Sequence, residues 1–469
     1  MFTLFDDFEL SGNWYLPSTP QEKVGGILSF KNGDAITLDL FKDFSGKQSG
    51  VFPKVILGNA FDGTKCTLVN CYRLGPVIQA LPHGTRSIYG ADLLFVGHLF
   101  ESEEEILFPS IAINFSSLEE WIQLKPFREG YSYQDGKIDS VELTYQIPKG
   151  FDVQVPTIDS HVSLKLGFVT RSNQYKAAKW EIDSYLKIVP TESRSYAWFS
   201  TITASLGNLL SLLMGNPVYP RRIRYVTNDV EIDDRYHQTP STEVFFAQPR
   251  RLTSETIHPD QMLVTLPSIE NDFGRVVDLW FKNRERLAVV HALFFATVYN
   301  TYLYVESTFL FLMQALESYH RGLGNDLYIS QEEYSKYETA IIESLPKELP
   351  PSLLESFKSR IHYGNEYSLR KRLGLITDRL GDATTATITD DKRNFIKRIV
   401  NTRNYLTHHD EQLRAEAASG TELHEINIKL RSLLTAILMF EIGIEEELVV
   451  KAIIKLMKPP FFMEAYSNL

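Results

Sequence analysis

The stretch Phe395-Ile-Lys-Arg-Ile-Val-Asn-Thr-Arg-Asn-Tyr-Leu-Thr-His408 decides how the C-terminal half of the chain is read. Phe395, Ile399 and Leu406 fall at helical spacing and predict an inward apolar stripe. Arg403 stands four residues after Ile399, at the edge of that stripe. A half-buried guanidinium there needs an anionic partner, from the protein or from a ligand. His408 follows five residues later, about 140° further round an ideal helix. The two side chains cannot share one face of a straight helix. Either the helix ends near Thr407, or a second copy of the chain completes the site. His409 is adjacent and could stand in for His408.

Working outward, Leu303, Phe309, Leu310, Met313, Leu316 and Tyr319 make one apolar helix face, stopped by Gly322. Leu423, Ile426, Leu430, Leu433 and Ile437 make another. Between them Ser352 to Ile361, Ser368 to Leu380 and Asp390 to Leu406 read as helices, with Ser368 as an N-cap. Helices of similar length with short connections imply an antiparallel bundle. The N-terminal half has a different period. Leu28 and Phe30 alternate with polar neighbours, Asn32-Gly33 follows, and Ile36, Leu38 and Leu40 alternate again, which predicts a hairpin. Further strands are expected at Val55 to Leu57, Thr67 to Cys71, Leu93 to Val96, Ile111 to Phe115, Ser163 to Thr170, Lys179 to Val189, Arg222 to Val226 and Glu243 to Ala247. Ser117 with Glu120 predicts a capping box opening a short helix through Trp121. Tyr196 to Met214 is apolar but carries Phe199, Ile202, Leu206, Leu209 and Leu213 at helical spacing among polar residues. It is expected to dock on a sheet rather than span a membrane. The period changes near Ile269. The fold class is therefore α+β and multidomain, with residues 1–275 β-rich, in one or two subdomains, and residues 276–469 an all-α bundle.

The 469 residues, 43% hydrophobic and 23% charged, suit several folded domains. A net charge of -11 disfavours a broad nucleic-acid surface but leaves room for a narrow basic site. Cys66 and Cys71 are the only cysteines. Their odd separation puts them on opposite faces of one strand, so they are not expected to pair, and two thiols cannot complete a four-ligand zinc site. This usage fits a reducing compartment, and Met1 to Glu9 shows no signal peptide. There is no phosphate-binding glycine loop, no His-Glu-x-x-His and no Gly-x-Ser-x-Gly, and no cofactor is expected.

By chemistry alone, Arg-x4-His is a weak pattern. A helix–helix salt bridge and a histidine beside a helix C-terminus would explain it as well. The region resembles the HEPN superfamily of small helical domains, whose signature is Arg-x4-6-His with a polar residue after the arginine, here Asn404. The segment Phe311-Leu-Met-Gln-Ala-Leu-Glu317-Ser-Tyr-His-Arg321 resembles an early helix of the ApeA-like HEPN branch. The N-terminal half is similar to the β-rich domain that precedes HEPN in that family. The matching features are Gly12-Asn-Trp14-Tyr-Leu-Pro17, Gly26-Ile-Leu-Ser-Phe30 with the Asn32-Gly33 hairpin, and Thr67-Leu68 leading to Cys71. The resemblance covers most of the chain. It implies a bacterial, cytoplasmic anti-phage protein acting by abortive infection, in which HEPN domains pair and cut RNA without a metal. In that reading His408 is the general acid or base, Arg403 binds phosphate, and Asn404 orients His408 or the phosphate. The implied partners are an RNA substrate such as tRNA, a second copy of the chain or a larger homo-oligomer, and a phage trigger of unknown identity. The N-terminal half would sense that trigger or restrain the nuclease. No membrane partner is implied.

Secondary candidates flank the motif. Glu317 and His320, one turn apart, could line the cleft with His409. Arg370, Lys371, Arg372, Lys392, Arg393, Lys397 and Arg398 could steer RNA, although solvated helix faces give the same pattern. Arg221, Arg222 and Arg224, and Arg250 with Arg251, could touch RNA, but ion pairs between domains explain them more simply. Two other functions compete: a HEPN domain that has lost catalysis and serves as an interaction or nucleotide-binding module, and a sugar-binding β protein using Trp14, Trp121 and Trp180. Those tryptophans more simply fill cores.

Overall fold

The computed structural model describes residues 2–44, 53–74, 86–173, 175–226, 230–233, 236–238, 241–248, 251–252, 256–324 and 326–458. They fall into two units, Met1–Asp278 and Leu279–Leu469.

In the first unit, period-two burial builds a closed barrel. Strands β1 (Phe8–Tyr15), β2 (Val24–Phe30) and β3 (Ile36–Leu40) bury every second side chain. With β4 (Val55–Ala60), β5 (Lys65–Arg73) and β6 (Ser87–Val96) they run in the order β6-β3-β2-β1-β4-β5, and β6 also pairs with β5. Six antiparallel strands thus close on themselves and leave no free edge. Trp14 is fully buried and donates its Nε1 hydrogen to the Gly26 carbonyl at 3.2 Å. Its ring lies on Gly58, where a Cβ would come within 2.1 Å, so only glycine fits. Gly33 has φ 90°, as the hairpin demands. Asn32 does more than turn the chain. Its buried amide donates to the carbonyls of Phe5 (3.1 Å) and Leu252 (2.8 Å) and accepts from the Leu252 N–H (2.7 Å). Cys66 and Cys71 lie on β5, both buried and not bonded to each other. Burial pushes the Cys66 thiol up to about 12, so it stays protonated.

From β6 the sheet continues outward through Ser241–Phe246, Pro220–Val226, Ser110–Phe115, Ala177–Pro190, Ser160–Asn173 and Asp152–Val155. A short helix α1 (Leu118–Ile122) follows Ser110–Phe115. The expected capping box is absent. Ser117 adopts φ 55°, and its hydroxyl accepts from the Ile257 N–H at 3.0 Å instead of the helix. Helix α2 (Tyr196–Met214) is long and apolar enough, by length and composition, to cross a membrane. Its Phe199, Ile202, Leu206, Leu209 and Leu213 are all buried within this unit. Trp14 and Trp121 fill cores. The arginine cluster makes ion pairs within the sheet rather than between domains. Arg222 meets Asp183 at 3.0 Å, and Arg224 meets Glu243 at 3.1 Å. Arg221 and Arg251 are exposed, and Arg250 lies outside the described residues.

Helix α3 (Phe273–Lys282) crosses from one unit to the other along the chain. The second unit then holds α4 (Ala288–Tyr299), α5 (Val305–Arg321), α6 (Gln331–Glu343), α7 (Pro351–His362), α8 (Leu369–Leu380), α9 (Asp382–Ile388), α10 (Lys392–His408), α11 (Gly420–Glu441) and α12 (Glu446–Met457). Helix α5 packs against α4, α8, α10 and α11. Phe309, Leu316, Ile399, Leu430 and Leu433 are essentially inaccessible and form its core. Ser368 caps α8 by accepting from the Lys371 N–H at 3.3 Å. Helices α6 and α7 pack on each other and bury no residue.

Candidate functional site

Helix α10 starts with a sequence-encoded cap, the Asp391 carboxylate accepting from the Asn394 N–H at 3.0 Å. Phe395, Ile396, Ile399 and Val400 are buried and fix its inward side, while Leu406 is only half-buried. The helix ends at His408. His409 takes a left-handed conformation, φ 51°, and its N–H donates to the Tyr405 carbonyl at 2.8 Å. His408 is therefore the last helical residue, exposed, beside the negative end of the helix dipole.

Arg403 points the other way. Its Nε lies 3.5 Å from Glu317 Oε1 on α5, with 30% of the arginine side chain and 21% of the glutamate exposed. Asn404 Oδ1 stands 3.5 Å from an Arg403 terminal nitrogen. Arg403, Asn404 and Glu317 are thus brought together. Five residues apart on one helix, Arg403 and His408 project about 140° apart, and among the described residues no hydrogen bond joins them.

Beyond His408 the chain folds back along α10. Asp410 caps a short turn of helix, Glu411–Glu416, by accepting from the Gln412 N–H at 3.1 Å. The Ala418 N–H then donates to the buried Thr402 hydroxyl at 2.9 Å. Between these anchors Glu416 Oε2 accepts from Asn401 Nδ2 at 2.6 Å and lies 3.3 Å from Lys397 Nζ. Asn401 and Glu416 were not anticipated from sequence. An amide in mid-helix and a carboxylate in the following turn carry no periodic signal.

The remaining candidates divide. Arg370, Arg393, Lys397 and His409 are exposed. Arg372 is not available to a ligand. It is 4% exposed, and it clamps Asp326 through two hydrogen bonds of 2.7 Å and Glu366 through one of 3.1 Å. Helical spacing sets it beside inward-facing Leu373 and Ile376, so it serves the core instead of steering RNA. His320 is likewise corrected. It is 2% exposed, with Nδ1 3.2 Å from Asp326 Oδ1, and burial holds its imidazole below the usual range although Asp326 pulls the other way. It belongs to the buried Arg372–Asp326 cluster. Lys392 pairs with Asp378. Arg398 forks onto Glu422 at 2.7 and 2.6 Å.

A cavity of about 230 Å³ in the same unit is lined by Tyr319, Ile376, Arg379, Leu380, Ile437, Phe440 and Glu441, and holds none of the motif residues. Tyr319 donates to Glu441 at 2.7 Å, and burial raises its phenol well above the usual range. Among the described residues no three His, Cys, Asp or Glu side chains converge so as to hold a metal ion.

Two family models match the chain: ApeA N-terminal domain 1 over residues 9–280, and Apea-like HEPN over residues 310–448. The chain belongs to the ApeA-like family, with a C-terminal HEPN domain. In this ApeA-like protein the first match takes in the barrel and the extended sheet. The HEPN match takes in Glu317, Arg403, Asn404 and His408. Membership supports an anti-phage HEPN nuclease role in general terms, and the HEPN domain suggests an RNase. No curated protein and no solved structure matches the chain significantly.

Proposed function

We propose that this ApeA-like protein cleaves RNA during an anti-phage response and that Arg403 and His408 carry the chemistry. The observation that supports this most is the pairing on one helix of a partly exposed guanidinium, held by Glu317, with an exposed imidazole at the helix end. RNA brings its own nucleophile, the 2′-hydroxyl beside the scissile phosphate. An imidazole exchanges protons near neutral pH, so His408 can take the 2′-hydroxyl proton. The 2′-oxygen then bonds to phosphorus as the bond from phosphorus to the 5′-oxygen breaks, and a second imidazole protonates that leaving oxygen. Arg403 binds the phosphate and stabilises charge developing on its oxygens. Asn404 orients the guanidinium or the phosphate. The products are a 2′,3′-cyclic phosphate, or the 3′-phosphate from its hydrolysis, and a 5′-hydroxyl.

Arg403 and His408 diverge within one chain, so a homodimer in which each copy supplies one imidazole is the arrangement that places an acid and a base together. Structured RNA such as tRNA is the proposed substrate, with Arg370, Arg393 and Lys397 as steering charges. The β-rich unit would sense the phage trigger or restrain the nuclease. The 3.5 Å contact of Arg403 with Glu317 also suits a non-catalytic interaction module, in which that pair only ties α10 to α5. Inducing the wild type and His408→Ala in cells, with and without phage, separates the two. Growth arrest and RNA fragmentation in the wild type alone are expected; equal toxicity and identical RNA patterns would sink the nuclease reading. EDTA should leave cleavage intact, and its loss would overturn the metal-free mechanism.

A further inference from the structure

Helix α10 carries a polar stripe that leads to His408, and the Lys397–Asn401 part of it has no role in the cleavage step itself. Arg393, Lys397, Asn401, Asn404 and His408 are separated by four, four, three and four residues, so they fall on one face. Two contacts fix the middle of that face: Lys397 and Asn401 both reach the same carboxylate oxygen, Glu416 Oε2, at 3.3 and 2.6 Å. Arg403 is about 140° away on the helix and faces α5. His408 thus shares its face with Lys397 and Asn401, at the end nearer the exposed helix terminus.

The pair Lys397–Asn401 offers an ammonium and an amide N–H aimed at one oxygen. That donor set suits a phosphate oxygen as well as a carboxylate. Asn401 is only 8% exposed, so its amide is held in place and needs an acceptor when the site closes. Lys397 is 56% exposed and Glu416 51%, so the carboxylate sits at the surface, where an incoming anion can replace it. The segment that bears Glu416 is pinned at both ends, by the Asp410 cap and by the hydrogen bond from Ala418 to Thr402. Glu416 can therefore swing aside without unfolding α10.

We propose that Lys397 and Asn401 form a backbone-phosphate subsite for single-stranded RNA, which leads the strand along α10 to His408, and that Glu416 occupies it as an internal competitor until RNA displaces it. This rests on reading Arg403 and His408 as an RNA-handling site. It adds to that reading a binding position about two to three helical turns from His408 and an acidic gate on access to it.

The test uses the full chain carrying His408→Ala, so that binding is read without cleavage. The probe is a fluorescein-labelled single-stranded RNA of about 12 nucleotides, followed by anisotropy over a salt series. Glu416→Gln keeps an acceptor for Asn401 and removes the charge. It should bind about fivefold more tightly, with a log–log salt slope steeper by about 0.7, one more phosphate engaged. Adding Lys397→Ala should erase both gains. Glu411→Gln removes the same charge from an exposed residue of the same turn, which among the described residues pairs only with Arg414, and should change neither. Unchanged affinity and slope in Glu416→Gln would overturn the proposal. So would a gain that survives Lys397→Ala or is matched by Glu411→Gln. Cleavage by the chain with His408 intact is measured separately. Glu416-dependent binding without cleavage would sink the nuclease reading and leave the subsite standing.

Discussion

Among the described residues a single carboxylate, Glu317, holds Arg403, and that makes Glu317 a positioning residue with a measurable signature. Glu317→Gln should lower the cleavage rate about tenfold with little change in RNA affinity, because a misaimed guanidinium loses more at the transition state than in the bound state. Arg403→Lys should not rescue, since an ammonium lacks the planar fork; equal rates in Arg403→Lys and the wild type would count against the phosphate role. A second residue-level outcome concerns pH. His291 stacks on Trp280 at 4.4 Å between centroids, and burial, with Arg284 and Arg286 nearby, lowers its imidazole to about 4. Its folded value is depressed, so between about 6.5 and 4 the unfolded chain binds the extra proton. Stability is present above that window and is lost as pH falls through it, on the order of 3 kcal/mol in all. Thermal unfolding from pH 7 to pH 4.5 should show the fall, and His291→Phe should flatten it; an equally steep fall in that variant contradicts the assignment. At this scale Arg403 and His408 stood out through the HEPN resemblance, since Arg-x4-His is a weak pattern by itself. The sequence hid Asn401 and Glu416, whose partnership exists only once the chain folds back. It misled at Arg372, because a run of basic residues reads as a solvated face until the helix phase turns one of them inward.

At the scale of elements, the hairpin from Val24 to Leu40 was legible because strict alternation and Asn32-Gly33 agree. The hairpin Phe127–Gln134 with Lys137–Tyr145 was not anticipated, although Asp135-Gly136 at its tip, both with positive φ, is a turn signal of the same strength. Its strands are exposed on both faces, so the burial pattern that betrays a strand is missing. Ser117 was read as a cap because composition cannot reveal that a distant N–H, that of Ile257, competes for its hydroxyl. Helix α6 was not anticipated; its sequence is mostly polar and it buries no residue. Two substitutions test what holds elements together. Gly58→Ala drives a methyl into the Trp14 ring and should destabilise the barrel by about 1–3 kcal/mol, seen as a lower unfolding midpoint. Arg372→Met leaves Asp326 without its buried partner and should cost about 3–5 kcal/mol, whereas Arg370→Met at an exposed position should cost almost nothing. Equal effects of the two would mean that the buried clamp is not what ties α8 to the turn after α5.

For the whole molecule, the change from a period of two to a helical period near Ile269 was the strongest single guide. The structure divides at Asp278, and a β-rich unit is followed by a helical one. Closure of the barrel was not legible, because pairing of β6 with both β3 and β5 is a long-range choice that no local pattern encodes. The net charge of -11 gives a molecule that repels nucleic acid broadly, so any RNA contact is confined to short basic stretches such as α10. Cleavage should therefore weaken steeply with added salt while folding does not; cleavage insensitive to salt would argue against phosphate-led binding. The central claim is that Arg403 and His408 make this ApeA-like chain an RNA-cleaving protein. Its most direct measurement is the time course of total-RNA cleavage by purified wild type and His408→Ala, side by side in EDTA, with the fragment ends identified. The account predicts 5′-hydroxyl and cyclic or 3′-phosphate ends from the wild type and a rate about 100-fold lower or more in the variant. Equal rates in the two proteins, or 5′-phosphate ends, would contradict it.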